Sequence, residues 1–595
     1  ANAFAVAVCG EGAEDIPEKE RWMGATKRFP AITKGLYDVD RAFEDYYRFL
    51  EAGVLNPKVV GRQIVVFVGP TASGKTTVIN GIARAMERNT SIIRFQVKGS
   101  PTHESPMYLV PRFLRRSQFD AEKAKQFEFE KPFEDVYGIP TIEGDLSKPM
   151  RDKLMAPVDK GGYDGEWWNV EVEPFIMSIQ AGRGFGEFQP TKERDTDISS
   201  LCGRENTAIT QNPNKGYDHP EAWDLHASEG PKSGGGILHI VEVLTKGTDT
   251  SMLRSIGHLA SDGYLYVQGA PFPKTWIDTN VLGDTNLEGF KWFNGLTEEE
   301  MLHSRIHIIF VPYVLRWKQE IKIYQDAIKR ADDDCKLLKH THIAPGSLEL
   351  AAKFAVLTRL TGSEKVKSLV QKMEFYNGDR TTDDENKAIE TQALIDESWK
   401  DPDVAHRDGM SGADPRSILK ALNAYLVKEG LKCLTPRTVI EALKTHFQFH
   451  QAGLSEENKT RYLDLLTPGS TDSVVSEYEK FTLKRGQKIF LKTFGEMPRS
   501  RFDQYVEHAR LYAVKNSPNL VEMLKQSDPE LMSRLLEKDT LTGHEREPNE
   551  KIMSAIEQHY VPPVLDPSKQ KHRIEIAMAS AMKSFSYDTF TPLAK

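Results

Sequence analysis

From Tyr37 to Leu55 the apolar positions Val39, Ala42, Phe43, Tyr46, Tyr47 and Leu50 recur at helical spacing and predict an amphipathic helix. The β-branched run Ile64-Val65-Val66-Phe67-Val68 predicts a buried strand, and after a glycine turn a helical pattern resumes from Thr76 to Met86. Ile92 to Val97 reads as a second short strand. Residues 1–30 show little periodicity and read as an extended or partly ordered arm. Between 98 and 235 proline, glycine and tryptophan break every period, and Asn212 to Gly236 is expected to include a mobile loop. Strand-like runs return at Gly263–Val267 and Arg305–Phe310. Beyond Trp317 the pattern is mostly helical to about residue 450, and it stays helical afterwards with charged, polar faces. No internal repeat or heptad is present. The pattern predicts an N-terminal α/β nucleotide-type domain followed by α-helical domains.

Composition narrows the classes. With 595 residues the chain has room for three or four folding units. Its 78 basic and 86 acidic residues give a net charge of −8, which argues against general nucleic-acid binding. No apolar run approaches the ~20 residues of a membrane-spanning helix. Four scattered cysteines support neither a disulfide scaffold nor a four-cysteine zinc site, so a reducing compartment is expected. The opening Ala1-Asn2-Ala3-Phe4 lacks the features of an intact signal peptide, which leaves a processed or a trimmed terminus open. The expected location is the cytoplasm, or an organelle interior after N-terminal processing.

The sharpest chemical signal is Gly69-Pro70-Thr71-Ala72-Ser73-Gly74-Lys75-Thr76, a full GxxxxGK[ST] match between the apolar strand and the helix, with Thr77 beside it as a further binding candidate. Its glycines let backbone amides turn inward around phosphates, and the helix start adds partial positive charge. Lys75 is expected at the β- and γ-phosphates of ATP, with the Thr76 hydroxyl on Mg2+. Catalysis needs a further carboxylate at the end of an apolar strand. Between the loop and Tyr264 the best candidate is Glu242 in Ile237-Leu238-His239-Ile240-Val241-Glu242; Asp224 and Glu229 have polar neighbours. The alternative for Glu242 is a solvated helix carboxylate.

The order of further motifs resembles the PrkA-type serine protein kinases, bacterial proteins with an AAA+-like nucleotide domain and a helical C-terminal region. Gly35-Leu36-Tyr37-Asp38 looks like the family's adenine-side segment, and Ser100-Pro101-Thr102-His103-Glu104-Ser105-Pro106 like its next turn. Tyr137-Gly138-Ile139, Ile142-Glu143-Gly144-Asp145-Leu146 and Asp197-Ile198-Ser199-Ser200-Leu201 continue the series. Ile237 to Val243 is similar to a family helix ending Val-Glu-Met. Val311-Pro312-Tyr313, Ala344-Pro345-Gly346, Lys372–Gly378, Asp408-Gly409-Met410-Ser411-Gly412, Arg461–Asp464 and Phe502–Val506 carry the likeness into the last third.

The resemblance implies an α/β P-loop NTPase domain of AAA+ type with a helical lid, then a mainly α-helical C-terminal domain. The expected boundaries are an arm at 1–30, the nucleotide domain at 31–317, the lid at 318–450 and the C-terminal domain at 451–595. It also implies a protein substrate or partner, ATP-dependent serine phosphorylation or ATP-driven work, and a ring or dimer. Tyr37 would face the nucleotide, Arg305 would reach a neighbouring copy's γ-phosphate, and Arg416 in Asp414-Pro415-Arg416 would be a lid arginine; the alternative for both arginines is a surface salt bridge.

Two departures leave an alternative open, a chain with weakened turnover that keeps ATP as a structural or regulatory ligand. Lys232-Ser233-Gly234-Gly235-Gly236 replaces the family's Ala-Asn-x-Gly stretch, and Gln268-Gly269-Ala270 stands where a polar sensor is expected. His406-Arg407-Asp408 imitates a eukaryotic-type kinase loop, but Ala413 occupies the position of its required Asn. Trp167, Trp168, Arg183 and Phe185 are expected in packing more than binding, and His446 with His450 lacks the zinc-protease Glu between them.

Overall fold

The computed structural model describes residues 2–493, except 34, 56–62, 90–91, 111–143, 191–197, 214, 217–218, 220–221, 227, 245–249, 267–273, 297–299, 331–335, 383–387 and 452. The expectations at Tyr137–Ile139, Ile142-Glu143, Asp197, Gln268–Ala270 and Phe502–Val506 lie outside the described residues. The chain divides into two compact units, Ala1–Tyr478 and Glu479–Lys595, and the described residues of the second are helical.

Helices α1 (Asn2–Gly10) and α2 (Asp40–Leu55) precede strand β1 (Ile64–Val68), and α3 (Lys75–Arg88) follows it. The remaining sheet strands are β2 (Phe185–Phe188), β3 (Ile237–Ile240), β4 (Asn280–Thr285) and β5 (Ile306–Phe310), with α4 (Thr250–Asp262) between β3 and β4. All five are parallel, in the order β5-β1-β4-β3-β2. Strand side chains alternate between faces, so β1 serves two cores. Val65 and Phe67 pack with α1, α2 and α3, while Ile64, Val66 and Val68 pack with α4 and the Leu287–Asn294 helix. This three-layer arrangement places the β1–α3 turn at the carboxyl ends of the strands, where sheets of this class bind ligands.

A separate apolar core, spanning the region expected as the lid and continuing to Leu465, is built from α5 (Trp317–Arg330), α6 (Ser347–Arg359), α7 (Leu369–Tyr376), α8 (Pro415–Glu429), α9 (Pro436–Thr445) and α10 (Glu456–Leu465). A further helix, α11, spans Val474–Thr493.

Two expectations are corrected. The arm begins with α1, whose Ala5, Val6, Val8 and Cys9 are buried in the α2/α3 core. The stretch Ile237–Val243 is a buried strand and turn, not a helix. The strand-like run at Gly263–Val267 contains the strand Tyr264–Tyr266, which pairs antiparallel with Lys274–Trp276 outside the main sheet. Within Asn212–Gly236, Ser233–Gly236 is a close-packed entry into β3: a Cβ on Gly236 would meet the Gly184 carbonyl at 1.9 Å, and one on Gly234 the Thr102 carbonyl at 1.9 Å.

The Ser100–Pro106 turn is organised by a buried carboxylate. Glu104 accepts from the Ser100 hydroxyl at 2.5 Å and from the Ser147 amide. Beside it His103, in the left-handed region at φ 55°, places Nδ1 2.8 Å from Gln96 Oε1 and its ring 5.3 Å from that of Phe175. Burial, then the cationic neighbour Arg183, pushes the imidazole from 6.5 down to about 4. A depressed folded value means the unfolded chain binds the proton first. The His103 contribution is therefore whole above pH 6.5 and is lost as pH falls toward 4. The expected loss is about 2 kcal/mol at pH 5. Urea unfolding at pH 7 and pH 5 should show this slope, and His103→Gln should flatten it; an unchanged slope removes His103 as its source.

Candidate functional site

The loop after β1 has the shape its residues dictate. Gly69 is required because a Cβ would lie 2.1 Å from the carbonyl of Val311, which directly follows β5, the strand paired with β1. Ala72 at φ 62° and Gly74 at φ 98° adopt left-handed backbone, which turns amides toward a common centre. Lys75 opens α3, and Thr76 and Thr77 are exposed in its first turn. Pro70, Thr71 and Ser73 complete the loop. The Ser73 hydroxyl is buried without a hydrogen-bond partner, and Tyr313 donates to the Thr71 carbonyl at 2.6 Å.

Lys75 Nζ donates to the Gly69 carbonyl at 2.9 Å and the Pro70 carbonyl at 2.7 Å. Burial holds this ammonium below its usual range, opposed by the charges of Asp284 and Glu242. Thr76 donates its hydroxyl to Asp284 Oδ2 at 2.8 Å, and the Glu242 amide donates to Asp284 Oδ1 at 2.9 Å. Burial pushes the Asp284 carboxyl up. His239, the Glu242 amide and the Thr76 hydroxyl outweigh it, and the carboxyl sits below its ordinary range.

The structure therefore brings Lys75, Thr76 and Glu242 together and adds Asp284, which sequence reasoning missed. Asp284 is the penultimate residue of β4, the strand between β1 and β3. The available signal was Val281-Leu282-Gly283-Asp284, an apolar stretch ending in Asp, but it lies beyond Tyr264. Glu242 is exposed just past β3 with φ 51°, a left-handed conformation that costs a non-glycine residue energy and re-aims the chain. The polar residue directly after the central strand is Asn286, whose side chain caps the Leu287–Asn294 helix by accepting from the Gly289 amide at 2.8 Å.

The other candidates divide. Leu36 is 3.8 Å from where a Gly74 Cβ would stand, which sets its neighbour Tyr37 near the loop. Tyr37 donates to Asp326 Oδ2 at 2.6 Å, and that bond, with burial, pushes the phenol up to about 12. Arg416 is exposed in the first turn of α8, whose cap Asp414 accepts from the Ser417 amide; burial raises the Tyr313 phenol, and the charge of Asp414 raises it further. Arg305 is not at the loop: it precedes β5 at the opposite sheet end, where its carbonyl accepts from the Ile64 amide at 2.8 Å. Five residues of strand, roughly 16 Å, separate the two ends.

His406-Arg407-Asp408 is lid architecture. The fully buried Asp408 carboxylate takes Lys372 Nζ at 2.7 Å, the Tyr376 hydroxyl at 2.6 Å, the Thr361 amide at 2.7 Å and the Thr361 hydroxyl at 2.9 Å, which fills its lone pairs and leaves no capacity for a substrate proton. Trp167 and Trp168 pack edge to face at 5.7 Å, Phe185 is buried in β2, and the Arg183 amide and carbonyl close a turn on Ser178. His446 meets Gln451 Oε1 at 2.9 Å. Asp224 pairs with Arg204 in a two-stranded ribbon, and Glu229 bonds Lys232 at 2.7 Å.

The donor set fits a nucleoside triphosphate with a divalent cation. It offers convergent amides, one ammonium, an orphaned buried hydroxyl at Ser73, and a hydroxyl with two carboxylates at Thr76, Asp284 and Glu242. No cluster of three metal-ligating His, Cys, Asp or Glu side chains occurs among the described residues. A magnesium ion sharing phosphate oxygens suits such a site better than an all-protein cage.

Residues 20–367 match the PrkA AAA domain, and residues 370–593 match the PrkA serine protein kinase C-terminal domain. A Bacillus subtilis (strain 168) protein named ATP-dependent protease PrkA is 27% identical over 588 residues, covering 97% of this chain and 81% of that one. An Escherichia coli (strain K12) protein named serine/threonine kinase YeaG is 25% identical over 488 residues, covering 81% of this chain and 68% of that one. A crystal structure of NtrX from Brucella abortus in complex with ATP is 13% identical, covering 73% of this chain and 70% of that one at a TM-score of 0.27.

Proposed function

The chain belongs to the PrkA family, and from that premise we propose that it is an ATP-dependent enzyme acting on a protein, by serine phosphorylation or by ATP-driven work. The observation that carries this reading is the cluster of Lys75, Thr76, Asp284 and Glu242 under the phosphate loop. Lys75 binds the β- and γ-phosphates, the Thr76 hydroxyl and the Asp284 carboxylate hold the metal side, and Glu242 orients the attacking group. Bound Mg2+ would neutralise charge on the phosphates. Tyr37 lies on the base side, and Arg416 at the start of α8 approaches the phosphates when the lid closes.

Arg305 supports a reading in trans. Standing at the far end of the sheet, it serves a neighbouring copy's nucleotide in a ring or dimer, not its own. The protein works in the cytoplasm on this reading; no helix among the described residues is long and apolar enough to cross a membrane.

The two named relatives carry different activities in their names, a protease and a kinase, so the test separates products. Wild-type protein is incubated with γ-labelled ATP and Mg2+ over a concentration series. Label on protein serine supports the kinase, and free phosphate without protein label supports ATP-driven work. Specific activity that climbs with protein concentration supports Arg305 acting in trans. Bound ATP with no turnover at any concentration overturns the enzyme reading and leaves ATP as a regulatory ligand.

A further inference from the structure

Three side chains form a line across the sheet beneath the phosphate loop. His239, in β3, has no exposed side-chain surface. Its Nε2 lies 3.6 Å from Asp284 Oδ1 on one side, and its Nδ1 lies 3.5 Å from Glu187 Oε2 on the other. Strand register produces this line: Glu187 of β2 and Leu282 of β4 flank His239, and Asp284, two residues beyond Leu282, shares its face. Both ring nitrogens are buried without a hydrogen-bond partner. A buried imidazole with unmet polar atoms costs stability, which an apolar residue in a strand otherwise lined by isoleucine and leucine would avoid. Two carboxylates aimed at its two nitrogens indicate what the ring is for.

We propose that His239 is a positioning residue for the metal side of the nucleotide site. Asp284 has two oxygens and two tasks. Oδ1 turns inward, toward the Glu242 amide and His239, and Oδ2 is then the oxygen left for the Thr76 hydroxyl. Without the imidazole the inward side offers Oδ1 only the Glu242 amide, and the carboxylate plane is free to pivot. Glu187, 56% exposed at the outer end of the line, fixes the ring from behind. This is the arrangement by which an outer group orients a metal-side carboxylate, and it rests on reading Thr76 and Asp284 as that metal side.

A fluorescent ATP analogue, titrated at fixed protein with and without Mg2+, tests it. In His239→Leu the Mg2+ concentration needed for half of the metal-dependent gain in affinity should rise roughly tenfold, a typical effect of losing an orienting partner. Metal-free affinity should stay within about twofold of wild type, since Lys75 and the loop amides are untouched. His239→Gln keeps a donor facing Asp284 and should restore the wild-type midpoint. Glu187→Gln, at an exposed position that cannot unfold the sheet, should shift the midpoint the same way but less. Unchanged midpoints in His239→Leu and Glu187→Gln overturn the proposal, as does equal loss of affinity with and without Mg2+. A wild type whose affinity ignores Mg2+ would instead refute the metal-side reading of Thr76 and Asp284.

Discussion

Lys75→Ala is expected to lower ATP turnover by roughly 10²–10³-fold, the usual cost of removing one preorganised electrostatic group from a phosphate site. Lys75 is 8% exposed and its ammonium donates to two loop carbonyls, so it is held in place before any phosphate arrives. Phosphate oxygens are stronger, charged acceptors than those carbonyls, and the bond to them strengthens as charge moves during transfer. Alanine removes that bond, and the Gly69 and Pro70 carbonyls lose their donor at a cost of about 1 kcal/mol. The variant should therefore melt slightly lower on its own. It should also lose the stabilisation that ATP at about 100 times its Kd confers on wild type, about 2.7 kcal/mol. Melting curves with and without MgATP, beside turnover, check both. A variant that keeps the ATP-induced shift and the rate would place the nucleotide elsewhere.

Legibility followed how far apart the interacting residues are in the chain. The phosphate loop was readable because its geometry is imposed on consecutive residues: Gly69 must admit the Val311 carbonyl, Gly74 must turn left-handed, and Lys75 must open the helix. Asp284 was not readable, because its partner Thr76 is 208 residues away and only the sheet order joins them. Its strand misleads as well: Asn280, Gly283, Asp284 and Thr285 are polar or small, yet all six residues of β4 are buried. The run Ile237–Val243 satisfies helix and strand patterns alike, and burial on both faces settles it as a strand. Helix α1 escaped for the opposite reason: Ala5, Val6, Ala7 and Val8 are apolar without interruption and show no period. The lid's charged core was equally hidden, since Asp408, Lys372 and Arg359 are residue types that sequence patterns assign to the surface.

Arg359→Met should destabilise the first unit by roughly 3–5 kcal/mol, because it strips one partner from a fully buried ion pair. Arg359 places Nη1 2.8 Å and Nη2 2.7 Å from the two Glu320 oxygens, and both side chains are entirely buried. Nε and Nη1 also donate to the Ala413 and Val314 carbonyls at 2.9 and 2.8 Å. One guanidinium thus ties α5, α6, the strand exit after β5 and the approach to α8. Methionine fills much of the volume but leaves the Glu320 carboxylate and two carbonyls unmatched, and that mismatch outweighs the loss of the pair itself. The double variant Arg359→Met with Glu320→Leu should recover a large part of the loss, since desolvating the pair was costly to begin with. A functional consequence follows from the same atoms. The Arg359 guanidinium lies 4.7 Å from the Tyr313 ring centroid, and Tyr313 holds the Thr71 carbonyl of the phosphate loop. ATP affinity should therefore fall in Arg359→Met, and in the double variant it should stay lowered although stability returns, because the cation over Tyr313 is still missing. Urea unfolding and nucleotide titration on the three proteins separate the two effects. Stability of Arg359→Met within about 1 kcal/mol of wild type would show that the lid core does not depend on this pair.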